Sequence, residues 1–411
     1  KSGMLFLALT LVLIGVYPFF ISGQLENSLV RWMILVLAGS TLVDYFFLGK
    51  YRVLLTANQE GYVVALIQAA GTIVNMVVSI FLIYIGAGVL FVKAVATGVY
   101  MLRLVLVKIY AKRKYPALDF YAEPNEGALK QKNAALLHQV VGIIVNNTDT
   151  TVLTICLGAK SLLEVSVYGI YMMVVNAVNQ LMTSFSNGLT AGFGEVIAKN
   201  EEETLKKSYS SYEYMYFVIM FIVIACMGVL ILPFVGVYTI NLTDVQYVRP
   251  VLGILFTLIV FMQNVRIPGL TIICAAGHYK ETRYQAILEA VINITVSLGL
   301  VWKFGMAGVL LGTVCSYGYR SFEIVFYTSR HLVKGCAKKS MFRILRNVFT
   351  VAILCTVGTY VIPQEITSFT TWFLYAIGMG LTSVFLVINY VVEPDEFMQL
   401  RHRVNDIIKK E

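Results

Sequence analysis

Along this chain the apolar residues gather into long runs, separated by short polar stretches. Twelve runs read as helices, over 4–21, 32–49, 61–85, 87–110, 133–157, 163–192, 211–234, 248–275, 284–302, 306–329, 341–361 and 367–392. A helix needs about 20 apolar residues to cross a bilayer, and these runs have that length. No ten-residue alternation of polar and apolar positions appears, so barrel strands are not predicted. The pattern predicts an all-α polytopic membrane protein. Composition agrees: of 411 residues 58% are hydrophobic and 13% charged, whereas a soluble domain carries about a quarter charged residues.

Basic residues orient the helices. With the loop from Lys112 to Lys132 taken as cytosolic, 24 of the 32 Lys and Arg lie in or beside cytosolic segments. Only Arg31, Lys160, Arg249 and Lys303 lie outside, and Lys93, Arg103, Arg266 and Arg320 lie within helices. This bias predicts a multi-pass protein with both ends of the chain in the cytosol. The net charge of +9 follows mostly from it and does not suggest nucleic acid. The tail "EPDEFMQLRHRVNDIIKK" spaces Phe397, Leu400, Val404 and Ile407 on one helical face, as in a helix lying on the inner membrane surface. The longest external loop, about 236–249, offers Asp244 and Arg249 but no catalytic cluster. An enzyme is therefore not predicted. The six cysteines form no CxxC pair and the four histidines have no metal spacing, so no metal or cofactor is predicted either.

The chain also resembles itself. "VYPFF" parallels "ILPFV", with Pro18 and Pro233 215 residues apart. "LLTANQEGY" parallels "IICAAGHYK" at 219, and "NMVVS" parallels "NITVS", with Asn75 and Asn293 218 apart. "IGAGVL" matches "FGMAGVL", and Tyr100-Met-Leu-Arg103 matches Tyr317-Gly-Tyr-Arg320 at 217. Five matches in one order, at nearly one offset, predict two homologous bundles in parallel orientation. The first has four of six helices and the second has all six, followed by two further C-terminal helices. The expected layout is a first lobe over 1–110, a cytosolic linker over 111–132, a second lobe over 133–332, a helix pair over 333–392 and an amphipathic tail over 393–411. By that count the chain is an N-terminally shortened form of a fourteen-helix protein.

Ionisable groups inside a membrane are costly and mark cavities or pathways. Arg103 and Arg320 hold equivalent places in the two bundles, each with a tyrosine, Tyr100 or Tyr317, three residues earlier on the same face. Snorkelling and an i,i+3 pair between Arg320 and Glu323 are the structural alternatives. The repetition favours a cavity. Arg266 precedes Pro268 and Gly269, where a helix break is predicted. Lys93 completes the basic set, though its place near a helix end also fits snorkelling. Asp44 is a candidate proton or cation site, a partner for one of these arginines, or a solvated residue. Asp149, in "IIVNNTDTTVLT", is a candidate coupling site or part of interhelical hydrogen bonding. Glu289 and Gln68 are open in the same way.

The stretches "NNTDTTVLT", "EVSVYGIYMMV", "TSFSNGLTAGFGEVIAK", "RIPGLTIICAAGHYKETR" and "EAVINITVSLGLVWKFGMAGVLLGT" resemble bacterial polysaccharide biosynthesis proteins of the Wzx flippase type. These belong to the multidrug/oligosaccharidyl-lipid/polysaccharide exporter superfamily. The resemblance runs along essentially the whole chain and is densest from about 133 to 330. It implies two six-helix lobes plus two helices in the bacterial cytoplasmic membrane. It also implies movement of an undecaprenyl-pyrophosphate-linked oligosaccharide from the inner to the outer leaflet, around a cationic cavity. Arg103, Arg266 and Arg320 match that cavity, with Lys93, Tyr100 and Tyr317 beside them. Proton or sodium coupling through Asp44 or Asp149 and association with other polysaccharide assembly proteins belong to the same expectation. A multidrug exporter of the superfamily and a membrane glycan polymerase or ligase are the alternatives.

Overall fold

A computed structural model describes residues 2–20, 26–58, 60–116, 118, 132–158, 161–186, 189–363 and 366–386. The amphipathic tail and most of the predicted linker lie outside them. The described residues are helical throughout their ordered elements, with no strand among them. Nine helical stretches among them are long and apolar enough to cross a membrane. The protein is an all-α, multi-pass membrane protein. Every predicted run forms a helix wherever it is described. Two long helices, over 132–156 and 306–331, fall outside the set of nine. The first carries Asn146, Asn147 and Asp149, and the second carries Arg320 and Glu323, which lower their apolarity. These two helices line the cavity described below.

The chain divides into two compact units, Lys1–Asn125 and Glu126–Glu411. The first contains α1 (Ser2–Phe20), α2 (Asn27–Val43), α3 (Gly49–Ala57), α4 (Gly61–Tyr84) and α5 (Val89–Lys114). A single π-helical turn, Asp44–Leu48, joins α2 to α3. Leu48, Tyr51 and Leu55 from this bent segment pack against Leu104, Val107 and Ala111 of α5. At one end, Tyr115 donates to Glu60 (2.9 Å) and Lys114 pairs with it at 2.6 Å. The hydrogen bond from Lys114 holds the Glu60 carboxyl below its usual range.

The second unit contains α6 (Lys132–Cys156), α7 (Ser161–Ser186), α8 (Leu189–Ala198), α9 (Glu202–Tyr238), α10 (Pro250–Val265), α11 (Ile267–Ala275), α12 (Arg283–Phe304), α13 (Met306–His331), α14 (Ala337–Val361) and α15 (Phe369–Leu386). Two predicted boundaries need correction. The run over 163–192 is divided between α7 and α8, and α9 begins nine residues before the predicted 211. The polar stretch ahead of α9 is helical for two reasons. Glu202 and Glu203 sit in its first turn, where negative charge suits the helix dipole. Leu205, Tyr209 and Tyr212 then bury against the core.

Around α9 pack α7, α10, α14 and α15. Tyr171 and Phe256 stack at 5.1 Å, and Met220, Val260 and Leu310 are fully buried beside them. Lipid tails are as apolar as leucine, so burial alone does not drive helix association in a bilayer; packing and polar contacts do. The α12–α13 pair follows that rule. Asn293 donates to Thr313 (3.0 Å) and Ser297 to the Val309 carbonyl (3.1 Å). The chain reverses between these helices at Gly305, whose φ of 57° disfavours a side chain. The C-terminal pair is tied to α9. Arg343 of α14 pairs with Glu213 at 2.9 Å, Ser340 donates to the same carboxylate at 2.6 Å, and Trp372 of α15 donates to the Leu230 carbonyl.

Candidate functional site

Within the second unit, α6, α11, α12 and α13, with Arg266 just past the end of α10, line a cavity of about 340 Å³. Its position follows from a helix break. The ladder of α10 stops at Val265, Arg266 stands between the helices, and α11 begins at Ile267 with Pro268 near its start. Proline has no amide hydrogen to offer the preceding turn, so the chain breaks there and Arg266 turns into the cavity. Glu289 reaches in from α12, Arg320 from α13 and His138 from α6.

The charged side chains form one network. Glu289 Oε1 is bonded to Arg266 Nη1, and Glu289 Oε2 lies 3.5 Å from Arg320 Nε. Arg320 Nη1 also donates to Glu323 Oε2. The Arg266 guanidinium sits 4.4 Å from the centre of the Tyr317 ring, a cation–π distance, and its Nε is buried without a partner. Tyr317 donates onward to Asn146 (3.0 Å). At one margin, His138 Nε2 donates to the Tyr279 carbonyl (2.9 Å). Burial pushes the Tyr279 phenol up to about 12, so it stays a neutral donor. Two guanidiniums face two carboxylates, and their formal charges cancel. The sequence suggested a cationic cavity; here the arginines come already neutralised. Arg320 is 3% exposed and turned inward, so it does not snorkel.

Asp149 lies deeper on α6 in a separate polar cluster. It is 4% exposed and accepts hydrogen bonds from Thr313 (2.7 Å) and Tyr168 (3.3 Å). Among the described residues its partners are hydroxyls, with no basic group. Asn293 joins through Thr313, and its own Oδ1 is buried without a partner.

The first unit holds the remaining predicted residues. Arg103 is half-buried, its guanidinium 5.9 Å from the Tyr100 ring centre. It lies against α4 at Gly71, where a Cβ would fall within 2.6 Å of its Cγ and Cδ. Its Nε is buried without a partner, and no carboxylate pairs with it among the described residues. Asp44 is buried and pairs with Arg52 at 2.9 Å, leaving Oδ1 unsatisfied. Its partner is thus none of the three arginines singled out from the sequence. Eight residues separate Asp44 from Arg52, and the intervening π turn brings them onto one side. Lys93 is exposed on α5, as a snorkelling lysine would be.

The second unit therefore gathers Arg266, Tyr317, Arg320 and Glu323 in one place, with Asp149 nearby. Lys93, Tyr100, Arg103 and Asp44 belong to the first unit. Sequence reasoning left Glu289 undecided and did not single out His138. A signal for Glu289 exists: Glu289, Asn293 and Ser297 recur every fourth residue, a polar stripe on an otherwise apolar helix, and all three are buried. No family model matches the chain, and no curated protein matches it.

Proposed function

We propose that the protein moves a lipid-linked, diphosphate-bearing oligosaccharide across a bacterial cytoplasmic membrane, from the inner to the outer leaflet, for surface polysaccharide assembly. The observation that carries this reading is a cavity among long helices, into which two arginines project from a helix break and a neighbouring helix. A diphosphate cannot cross hydrocarbon unaided. Guanidinium is permanently charged, planar and rich in donors, which suits phosphate oxygens. The headgroup exchanges water for these donors while its polyprenyl chain stays in lipid. Alternating access exposes the basic groups first to one leaflet and then to the other. The resemblance to Wzx-type flippases and the bias of basic residues towards one side support the same reading and direction.

The test is translocation of a fluorescent lipid-linked oligosaccharide in proteoliposomes. Arg103→Ala and Arg266→Gln are each expected to lower the rate about tenfold or more at unchanged protein level, the effect of about 1.4 kcal/mol. Equal rates in the double variant would reject the role. A second reading, a cation-coupled multidrug exporter, is favoured by one observation: Glu289 and Glu323 match the arginines in number, and Asp149 has no basic partner among the described residues. Uptake of a cationic dye by the same proteoliposomes, with no movement of the lipid-linked sugar, would select it.

A further inference from the structure

Glu289 stands where an anion would stand. Its two oxygens are divided between two guanidiniums, Oε1 on Arg266 and Oε2 on Arg320. Two oxygens on one centre, each turned to a different arginine, are also what a phosphoryl group presents to a pair of arginines. Three further observations bear on what the carboxylate does there. Arg320 has a second acid of its own, Glu323, so Glu289 is not its sole counter-charge. Arg266 keeps a buried, unbonded Nε, a donor that Glu289 leaves unused.

The third observation comes from the first unit. Counting back 218 residues, the offset between Asn293 and Asn75, puts Gly71 at the place of Glu289. The register is borne out within each unit: Arg103 meets α4 at Gly71, and Arg320 meets α12 at Glu289. A helix pair of this kind therefore folds around its arginine without the acid. Glu289 lines the same cavity as the two guanidiniums.

We propose that Glu289 is an internal competitor for the transported anion. It occupies Arg266 and Arg320 while the cavity is empty and yields them when a diphosphate arrives. This rests on the reading of the substrate as a lipid-linked diphosphate. Without Glu289, Arg266 would stand bare in a low-dielectric surround and Arg320 would keep only Glu323; such a site would be costly when empty and would hold a dianion too firmly to release it. A carboxylate that returns to the arginines addresses both problems. The empty site is balanced in charge, and departure of the product is assisted by a carboxylate already in place, which the bound anion repels and which regains its arginines on release. Glu289 is thus a residue that sets affinity and release, and it makes no bond to the substrate.

The experiment uses the full chain in nanodiscs and a water-soluble short-chain prenyl diphosphate carrying N-acetylglucosamine. Binding is measured for the wild type, Glu289→Gln and Arg266→Gln. Glu289→Gln is expected to bind the probe about tenfold more tightly, about 1.4 kcal/mol, and to release it more slowly. In proteoliposomes its KM and kcat are expected to fall together. A carboxylate that merely positions the arginines predicts the opposite sign, so equal or weaker binding by Glu289→Gln overturns the proposal. If the wild type binds, Arg266→Gln does not, and Glu289→Gln is no tighter, the substrate reading survives and the competitor role falls. If no variant binds the probe, both fall. Should Glu289→Gln be unstable when empty, the probe is expected to raise its melting temperature more than that of the wild type. Absence of that rescue also counts against the proposal.

Discussion

Arg103 and Arg320 end matching Tyr-x-x-Arg segments, one in each unit, yet their surroundings differ. Arg320 lies between two carboxylates and is almost wholly buried. Arg103 is half-buried above a glycine, has a tyrosine ring beside it and, among the described residues, no acid. Subtracting 217 from Glu323 gives Leu106, so both acids around Arg320 have uncharged counterparts around Arg103. The difference teaches that two segments of matched sequence can carry a guanidinium at the same position in different electrostatic surroundings. One unit keeps its cation in reserve behind carboxylates, and the other presents it unshielded.

The largest effect that would break this comparison is expected at Arg320. Arg320→Ala leaves buried Glu289 and half-buried Glu323 with one cation fewer, and loss of one partner of a buried pair costs about 3–5 kcal/mol. Arg103→Ala strips no acid of its partner, and its cost is expected to stay under about 1 kcal/mol. Thermal unfolding of the two purified variants in one detergent checks the contrast, and similar losses would remove it. A middle effect is expected from Gly71→Glu, which installs in the first unit what the second already has. The flexible methylenes of Arg103 can move aside, and the new ion pair is expected to change stability by less than about 1 kcal/mol. Translocation is expected to slow about fivefold, since about 1 kcal/mol of competition is added at the unshielded cation. The smallest effect belongs to a pair at the end of the helices. Arg249 donates to both oxygens of Glu164, at 2.8 and 2.9 Å, with side chains 28% and 20% exposed. Water screens such a pair, so Arg249→Gln is expected to lower stability by about 1 kcal/mol or less and to leave translocation unchanged.

Much of this was legible in the sequence, because the physics that writes it is local. A bilayer demands unbroken apolar runs, and all of them are helices where they are described. Pro268 and Gly269, two and three residues after Arg266, announced the break between α10 and α11. The matched Tyr-x-x-Arg segments announced the register in which Arg103 and Arg320 are compared. What stayed hidden depends on partners distant along the chain. Glu289 meets Arg320 across 31 residues and two helices, and nothing in either local segment states that they touch. The π turn at Asp44–Leu48 was equally silent, since one extra residue in a turn leaves the apolar run intact. The length of α9 was underestimated because its first turns are charged. The tyrosines that bury them declare themselves only once α9 has neighbours.

That length has a mechanical consequence. With 37 residues, α9 is a rod of about 55 Å, against a hydrocarbon slab of about 30 Å. Its apolar part is gripped by neighbouring helices, and Arg343 and Ser340 clamp α14 to it near Glu213. The surplus of about 25 Å falls at the charged first turns, where Glu202, Glu203, Lys206 and Lys207 would find water, so α9 stands proud of the slab as a stalk to which α14 is fastened.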